Sequence, residues 1–240
     1  MRAHSTNHDH QPVLVLPGFL AHDIATTPLR MVIADRTYPV YGWHHGINIG
    51  PTKSVLAGLR KRIHELSQRH GVAVSVIGWS LGGLYARELA REFPGEIRQV
   101  ITLGSPMNLG IGTPICSRTH ALFERLRPLY SSELEQIGAP DVEKARLTVP
   151  ATAVFTRGDE VVPWTSCIDH YGSTHNSENI EVRGTHIGLA QNHAVAHLVL
   201  DRLAQPEGAW TPFEPGAVHA HHYPSHMVRA SASTLARGLS

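Results

Sequence analysis

A serine lies between two glycines in the segment Gly78-Trp79-Ser80-Leu81-Gly82. The strongly apolar run 72–77 precedes this segment and a helical pattern follows it, which is the strand–turn–helix context that a nucleophilic serine requires. Such a turn strains the serine backbone, and only glycine lets the neighbouring chain pass without Cβ clashes. The Ser80 hydroxyl would then lie at a sheet edge, beside a helix N-terminus that favours an anionic intermediate. We therefore predict that Ser80 is a nucleophile; the alternative is an ordinary Gly-Ser turn.

A serine hydroxyl needs a base to take its proton, and the base needs a carboxylate to orient it. In folds with this turn, the chain order is serine, then acid, then histidine. Asp159 follows Gly158 at the carboxyl end of the apolar run 151–155, and Glu160 is its competitor. The shorter side chain directly after Gly158 favours Asp159 as the acid. The alternative is a solvated acidic turn.

The chain holds 18 histidines, so position has to identify the base. His186 follows the last strand pattern and precedes the last helix pattern, which predicts a loop at the same sheet edge as Ser80. His193, at the start of that helix, is the main alternative. We predict that His186 is the base.

The negative charge that develops on a carbonyl oxygen needs two main-chain N–H donors aimed at it. The N–H of Leu81, the residue after the nucleophile, is the first predicted donor. The second should come from the loop after the first strand, where Gly18 would let the amide of Phe19 turn inward. A plain Pro-Gly turn is the alternative for that loop.

The elements that position these residues alternate between strands and helices. Strand patterns occur at 13–16, 38–43, 72–77, 100–103, 151–155 and 179–182. Helical patterns occur from Leu56 to His70, from 81 to 93, and from a cap at Asn192 to Pro206. This alternation predicts the α/β class, with a mostly parallel sheet and helices on both faces. Residues 107–150 interrupt it, as a cap insertion over the carboxyl edge would.

The domain organisation predicted from these patterns is a single α/β domain over residues 1–214. From residue 215 onward the chain is poor in large apolar residues and rich in histidine, which predicts a poorly ordered tail over 215–240. Four tail histidines, at 219, 221, 222 and 226, could bind a transition metal opportunistically, but we assign no metal site to them.

Composition excludes several classes of protein. The 240 residues are 42% hydrophobic, and 21 basic against 20 acidic residues leave a net charge of +1. That balance argues against a nucleic-acid binder or a polybasic membrane anchor, and no apolar run is long enough to span a membrane. The polar segment 1–11 lacks the apolar core of a signal peptide, so we expect a cytoplasmic protein. Cys116 and Cys167 are then expected as free buried thiols, with a disulfide as the lesser alternative.

With these motifs, the sequence resembles the α/β-hydrolases, specifically the small bacterial-type serine lipases and esterases, over about residues 12–213. The segments that carry the resemblance are 15–19, 77–83, 100–106, 157–164 and 184–186. The usual His-Gly of the oxyanion loop is Pro17-Gly18 here, a departure that bears on the assignment of Phe19. The first two strands of the full-length fold are absent, so the resemblance implies a minimal fold of about six strands.

The resemblance implies hydrolysis of carboxylic esters through an acyl-enzyme, with a small-molecule or lipid ester as the partner and no cofactor. Apolar cap residues suggest an acyl pocket, although they would equally suit the interior of a cap helix: Leu109, Ile111, Ile115, Leu122, Phe123 and Leu126. Acyl transfer to an alcohol or amine by the same three residues is an alternative, as is a non-catalytic binding protein of this fold. Thioesterase, lactonase and perhydrolase activities share the scaffold.

Overall fold

Six parallel strands form the central sheet, in the order β2-β1-β3-β4-β5-β6. A computed structural model describes residues 11–107, 116–171, 176–216 and 220–224. The strands are β1 (Val13–Leu16), β2 (Val40–Gly42), β3 (Val74–Trp79), β4 (Ile97–Leu103), β5 (Ala151–Phe155) and β6 (Ser177–Glu181). All five neighbouring pairs are parallel, which confirms the predicted α/β class and strand number.

Helices cover both faces of this sheet. They are α1 (Thr27–Ala34), α2 (Lys53–His70), α3 (Leu81–Glu92), α4 (Ser117–Leu126), α5 (Leu134–Gly138) and α6 (His193–Ala204). The buried side chains of α2 and α3 pack in one core with Leu14 and Leu16 of β1. Those of α1 and α6 pack in a second core with Val13 and Val15. The two cores follow from the alternation of side chains along a strand that is buried on both faces.

Helix α2 ends where its sequence pattern predicts. The Thr52 side chain accepts a hydrogen bond from the N–H of Val55, which caps the start of the helix. Gly71 follows the last turn with a φ of 67°, the left-handed conformation that glycine adopts without a steric penalty. The amphipathic pattern 56–66 therefore lies against the sheet as expected.

The insertion between β4 and β5 contains α4 and α5 and is tied to the rest of the domain by a hydrogen bond and by ion pairs. The N–H of Cys116 donates to Val161 O at 2.8 Å, which ties the start of α4 to the loop after β5. Farther along the insertion, Asp141 forms a 2.6 Å ion pair with Arg87 of α3, and Arg87 also pairs with Asp169 at 2.9 Å. Buried charges thus anchor the insertion to the helix that follows Ser80.

Several details differ from the predictions; β4, for example, begins at Ile97, three residues earlier than predicted. Strand β3 runs two residues later than predicted and includes Gly78 and Trp79, because both still pair with β4. Helix α1 was not predicted; its buried side chains, Leu29 and Ile33, are too few to form a long amphipathic pattern. In the predicted tail, Tyr223 is only 1% exposed and packs in the second core, so the chain continues to contact the domain beyond residue 214.

Candidate active site

Ser80 occupies the sharp turn between β3 and α3. Its φ of 53° and ψ of −123° lie outside the usual regions for a residue with a Cβ, as the strained turn predicts. The turn leaves no room for side chains, since a Cβ on Gly78 would lie 2.3 Å from Gly82 O, and one on Gly82 would lie 2.5 Å from Leu16 O. The spacing of the two glycines is therefore a steric requirement of the turn that presents Ser80.

Asp159 and His186 lie together at the carboxyl ends of β5 and β6. Nδ1 of His186 is 2.7 Å from Oδ2 of Asp159, and the two side chains are 5% and 1% exposed. The other carboxylate oxygen accepts hydrogen bonds from the N–H groups of Val161 and Val162, at 2.9 and 2.7 Å. These bonds fix the carboxylate, and the carboxylate in turn fixes the imidazole.

The main chain of His186 is held on both sides. Its N–H donates to Oε2 of Glu160 at 3.1 Å, while its carbonyl oxygen accepts from the indole N–H of Trp79 at 3.1 Å. Glu160, the competitor for the role of acid, thus bonds the main chain of His186, whereas Asp159 bonds the imidazole. Because Trp79 directly precedes Ser80, its indole also connects the loop that carries His186 to the turn that carries Ser80.

Gly104, at the end of β4, makes room for the carboxylate–imidazole pair. A Cβ at this position would lie 3.2 Å from both Oδ2 of Asp159 and Nδ1 of His186. The residue also has a φ of 55°, which glycine adopts more readily than any residue with a side chain. Strand β4 lies between β3 and β5, so this glycine lets the groups on either side approach one another.

The geometry leaves one ring nitrogen of His186 available for proton transfer. Because Nδ1 is bonded to the Asp159 carboxylate, the neutral ring carries its proton there and has its lone pair on Nε2. The described hydrogen bonds of the imidazole run to Asp159, and none joins it to the Ser80 hydroxyl. In enzymes without bound substrate such contacts are often long and tighten only in the substrate complex.

The two predicted main-chain donors flank Ser80. Phe19, Ser80 and Leu81 line the same small cavity, and neither the N–H of Phe19 nor that of Leu81 donates to a main-chain carbonyl of the described residues. The Phe19 loop is close to Ser80, since a Cβ on Gly18 would lie 3.0 Å from the Cβ of Ser80. The N–H groups of Phe19 and Leu81 could therefore donate hydrogen bonds to an oxyanion that forms beside the hydroxyl.

The cavity beside Ser80 is small and mostly apolar. Its volume is about 40 Å³, and α4 covers it with Phe123, whose ring lies 5.4 Å from that of Phe19. Of the other apolar cap residues, Leu122 is exposed, and Leu109, Ile111 and Ile115 lie outside the described residues. A larger cavity of about 610 Å³ lies between α2, α3 and α5 and is lined by none of the predicted site residues.

The alternatives named from sequence are located elsewhere. His193 lines a surface depression with Arg183 and Asn192, away from the lining of the Ser80 cavity.

Cys116 and Cys167 are both free thiols. Cys167 is buried, and burial raises the pKa of its thiol. Cys116 is only half-buried. His219 and His226 lie outside the described residues, and the part of the chain that is described holds no group of three or more potential metal ligands.

Comparison with solved structures supports the architecture. One of the metagenome-derived lipolytic enzymes LipS and LipT matches with a TM-score of 0.63 and 18% identity over 82% of this chain and 94% of that chain. The chain has the α/β-hydrolase fold. A Paleococcus ferrophilus monoacylglycerol lipase matches with a TM-score of 0.57 and 15% identity over 82% of this chain and 95% of that chain.

A thioesterase domain from the curacin biosynthetic pathway also matches, with a TM-score of 0.55 and 16% identity over 82% of this chain and 92% of that chain. No family model matches this sequence, and no curated protein matches it. At these identities the likenesses establish the fold, so the function has to be argued from the site. Among the described residues, no helix is both long enough and apolar enough to cross a membrane.

Two residues make contacts around the candidate site that the sequence does not predict. In the sequence, Trp79 is part of the serine motif, and Asn48 lies in the loop between the strand pattern 38–43 and the helical pattern that starts at Leu56. A signal for Asn48 does exist, because a lone asparagine between Ile47 and Ile49, flanked by two glycines, is a polar residue in an apolar setting. Its side chain is fully buried.

Proposed function

We propose that this α/β-hydrolase is a serine hydrolase that cleaves carboxylic esters through an acyl-enzyme. Ser80 is the nucleophile, His186 the general base and acid, and Asp159 the carboxylate that orients the imidazole. The observation that carries the assignment is the 2.7 Å hydrogen bond between Asp159 and His186, located on the loops beside a serine with a φ of 53°. Asp159 and His186 are almost completely buried, which strengthens the interaction between an imidazolium and the carboxylate.

In the acylation step, Oγ of Ser80 attacks the ester carbonyl carbon while its proton moves to Nε2 of His186. The carbonyl oxygen becomes negatively charged and receives hydrogen bonds from the N–H groups of Phe19 and Leu81. The tetrahedral intermediate then expels the alcohol, which takes the proton from Nε2. Asp159 remains ionised and stabilises the imidazolium throughout.

In the deacylation step, His186 removes a proton from water, and the resulting hydroxide attacks the acyl group on Ser80. The same two N–H groups stabilise the second oxyanion, and the proton on Nε2 returns to Ser80 as the acid is released. Each proton passes between Ser80, His186, water and substrate, so we assign the reaction no cofactor.

The lining of the cavity supports the proposal that the acyl group of the substrate is apolar. Much of its lining is apolar, with Phe19, Phe123, Val161 and Val162 among the lining side chains, and Thr119, His120 and Glu124 line it as well as Ser80. The lipolytic enzymes and the monoacylglycerol lipase that share the fold support a small-molecule or lipid ester as substrate. We propose that the catalytic unit is the single domain 1–214, against which the later residue Tyr223 also packs. A cytoplasmic location stays a prediction.

A panel of p-nitrophenyl esters with increasing acyl length tests the function. We expect the wild type to hydrolyse the panel and Ser80→Ala to lose about 10⁴–10⁶ in kcat, the range found when a serine nucleophile is removed. Ser131→Ala, which changes a buried serine of the insertion, should keep the wild-type rate. Equal hydrolysis by the Ser80 variant and the wild type, with both folded by circular dichroism, would overturn the assignment.

A further inference from the structure

Asn48 is a buried polar residue on the loop between β2 and α2, and its side chain contacts the loop that carries Phe19. The residue is 0% exposed. Its Nδ2 donates to Pro17 O at 2.9 Å, and its Oδ1 accepts from the N–H of Gly50 at 3.2 Å and from the hydroxyl of Tyr85 at 3.3 Å. A buried amide is tolerated when it is hydrogen-bonded in this way, and here the partners come from three separate segments.

The main chain of Asn48 contacts the same loop. Its N–H donates to Ala21 O at 2.9 Å, and its carbonyl oxygen accepts from the N–H of Leu20 at 2.7 Å. Together with the side-chain bond to Pro17, these bonds hold the loop on both sides of Phe19. Leu20 has a φ of 62°, a conformation that is unfavourable for leucine and persists only where the surroundings impose it.

These bonds determine the direction of the Phe19 N–H. That N–H belongs to the same peptide unit as Gly18 O, which accepts a hydrogen bond from Ala21 N at 3.1 Å. In a trans peptide the C=O and N–H point in opposite directions, so fixing the carbonyl fixes the N–H. Asn48 bonds Pro17 through its side chain and Ala21 through its main chain. It therefore holds the two ends of the segment that contains this peptide unit.

Tyr85 connects the same amide to the nucleophile helix. Its side chain is 1% exposed, and it lies in the second turn of α3, which begins directly after Ser80. Its hydroxyl bond to Oδ1 of Asn48 therefore relates the position of the Phe19 loop to that of α3, whose first residue is Leu81. One side-chain amide thus connects the segments that supply the two proposed oxyanion donors.

We infer that Asn48 is a positioning residue for the oxyanion site, an inference that rests on the proposed function. The side-chain amide of Asn48 sets the distance and direction of the Phe19 N–H relative to the N–H of Leu81. Stabilisation of an oxyanion depends on donors that are already aimed at the charge before it develops. Loss of the amide should therefore lower the rate of the chemical step more than it weakens the binding of the ester.

The test compares variants at Asn48 with a matched asparagine elsewhere. Asn48→Ala and Asn48→Asp both remove the donor to Pro17, and Asn48→Ser supplies a milder change whose side chain is one bond shorter. Asn179→Ala is the control. The side chain of Asn179 also bonds a loop main chain, since it accepts from the N–H of Asp169 and donates to the carbonyl oxygen of Asp169. Asn179 does not line the cavity beside Ser80. Active-site titration with a fluorophosphonate corrects each rate for the fraction of folded enzyme.

With p-nitrophenyl butyrate, we expect kcat of the Asn48 variants to fall about 10- to 100-fold with little change in KM, less than the ~10²–10³ that follows complete loss of an oxyanion donor. Affinity for butaneboronic acid, whose adduct with the serine places an oxygen in the oxyanion site, should fall in parallel. Asn179→Ala should keep the wild-type kcat per titrated site, even if its melting temperature drops.

Tyr85→Phe should have a smaller effect than Asn48→Ala because it leaves the bond between Nδ2 and Pro17 in place. An unchanged kcat per titrated site in Asn48→Ser and whichever other Asn48 variants fold, with Ser80→Ala inactive, would overturn this inference and leave the proposed function standing. Full activity of Ser80→Ala would instead remove the proposed function itself. The two failures are therefore distinguishable in one set of measurements.

Discussion

Glu160 accepts a hydrogen bond from the main-chain N–H of His186 at 3.1 Å, while its neighbour Asp159 bonds the imidazole at 2.7 Å. Two adjacent carboxylates therefore bond the same histidine, one at its main-chain nitrogen and the other at its ring nitrogen Nδ1. Only the bond from Asp159 reaches the ring, so only Asp159 can fix which ring nitrogen carries the proton. This difference separates the two residues chemically although the sequence places them side by side.

Asp159→Asn should lower kcat for p-nitrophenyl butyrate by about 10⁴, because an amide favours the wrong tautomer of the imidazole and cannot stabilise the imidazolium. Glu160→Gln keeps an oxygen that can accept from the His186 N–H and should retain most of the activity. Steady-state kinetics of the two variants decide between the carboxylates. A larger loss in Glu160→Gln than in Asp159→Asn would contradict the assignment of the acid.

We expect Phe123 to limit the length of acyl chain that the cavity accepts, because its ring lines the cavity beside Ser80. In a space of about 40 Å³, replacing this ring with a methyl group should open room beside Ser80. We expect Phe123→Ala to raise the ratio of kcat/KM for octanoate over butyrate p-nitrophenyl esters by about tenfold or more, since each accommodated methylene contributes ~1–3 kcal/mol. Leu122→Ala, which changes an exposed neighbour on α4, is the control. A ratio that moves equally in both variants would show that Phe123 does not set chain length.

The placement of the candidate site residues at one sheet edge could be predicted from sequence because its signals are local. Ser80, Asp159 and His186 each follow an apolar strand pattern, and parallel strands bring their carboxyl ends to one edge of the sheet. The positions of Phe19 and Leu81 followed from the same rule. The serine turn was predictable for a further reason, since its glycines are dictated by contacts with residues only a few positions away or on the next strand.

The remaining features depend on contacts that sequence spacing does not reveal. Asn48 meets Tyr85 across 37 positions, and Arg87 meets Asp141 across 54, so neither pair forms a readable motif. Helix α1 buries only Leu29 and Ile33 and gave too short a pattern to predict. The burial of Tyr223 depends on α6, whose Ala194 carbonyl accepts its hydroxyl at 3.0 Å, and a tail rich in histidine gave no sign of that contact.

Arg87 should contribute strongly to stability because its charge is buried between two carboxylates. The side chain is 3% exposed and pairs with Asp141 and Asp169, which are each 2% exposed. Arg87→Met should lower the free energy of unfolding by about 3–5 kcal/mol, since it leaves buried carboxylates without this partner.

Arg60→Met is a matched control, because Arg60 also pairs with two carboxylates, those of Glu92 and Glu133, but is 34% exposed. Exposed pairs contribute about 0–1 kcal/mol, so this variant should remain close to the wild type in stability. Urea unfolding monitored by circular dichroism measures both values. Equal losses in the two variants would contradict the view that burial makes the Arg87 pairs important.

Asp141 should make stability depend on pH in the acid range. Burial alone would raise the pKa of its carboxyl, but the charges and hydrogen bonds of Arg87 and Arg91 outweigh burial and lower the pKa below its ordinary value. A carboxyl with a lowered pKa binds protons more weakly in the folded protein than in the unfolded chain. Its contribution is therefore fully present at neutral pH and is lost as the pH falls below about 4, near the ordinary pKa of aspartate.

We expect the free energy of unfolding of the wild type to fall more steeply between pH 5 and pH 3 than that of Asp141→Asn, although the variant is the less stable of the two at pH 7. Urea unfolding at a series of pH values gives both curves. Parallel curves for the two proteins would show that Asp141 does not contribute to the acid sensitivity.

The reaction of Ser80 with a fluorophosphonate, followed by peptide mass spectrometry, tests the central claim most directly. A nucleophile activated by His186 should carry the phosphonyl group on Ser80 alone in the wild type, and His186→Ala should abolish that labelling. Labelling at another residue, or labelling of Ser80 that persists at the wild-type rate in His186→Ala, would contradict the proposed mechanism.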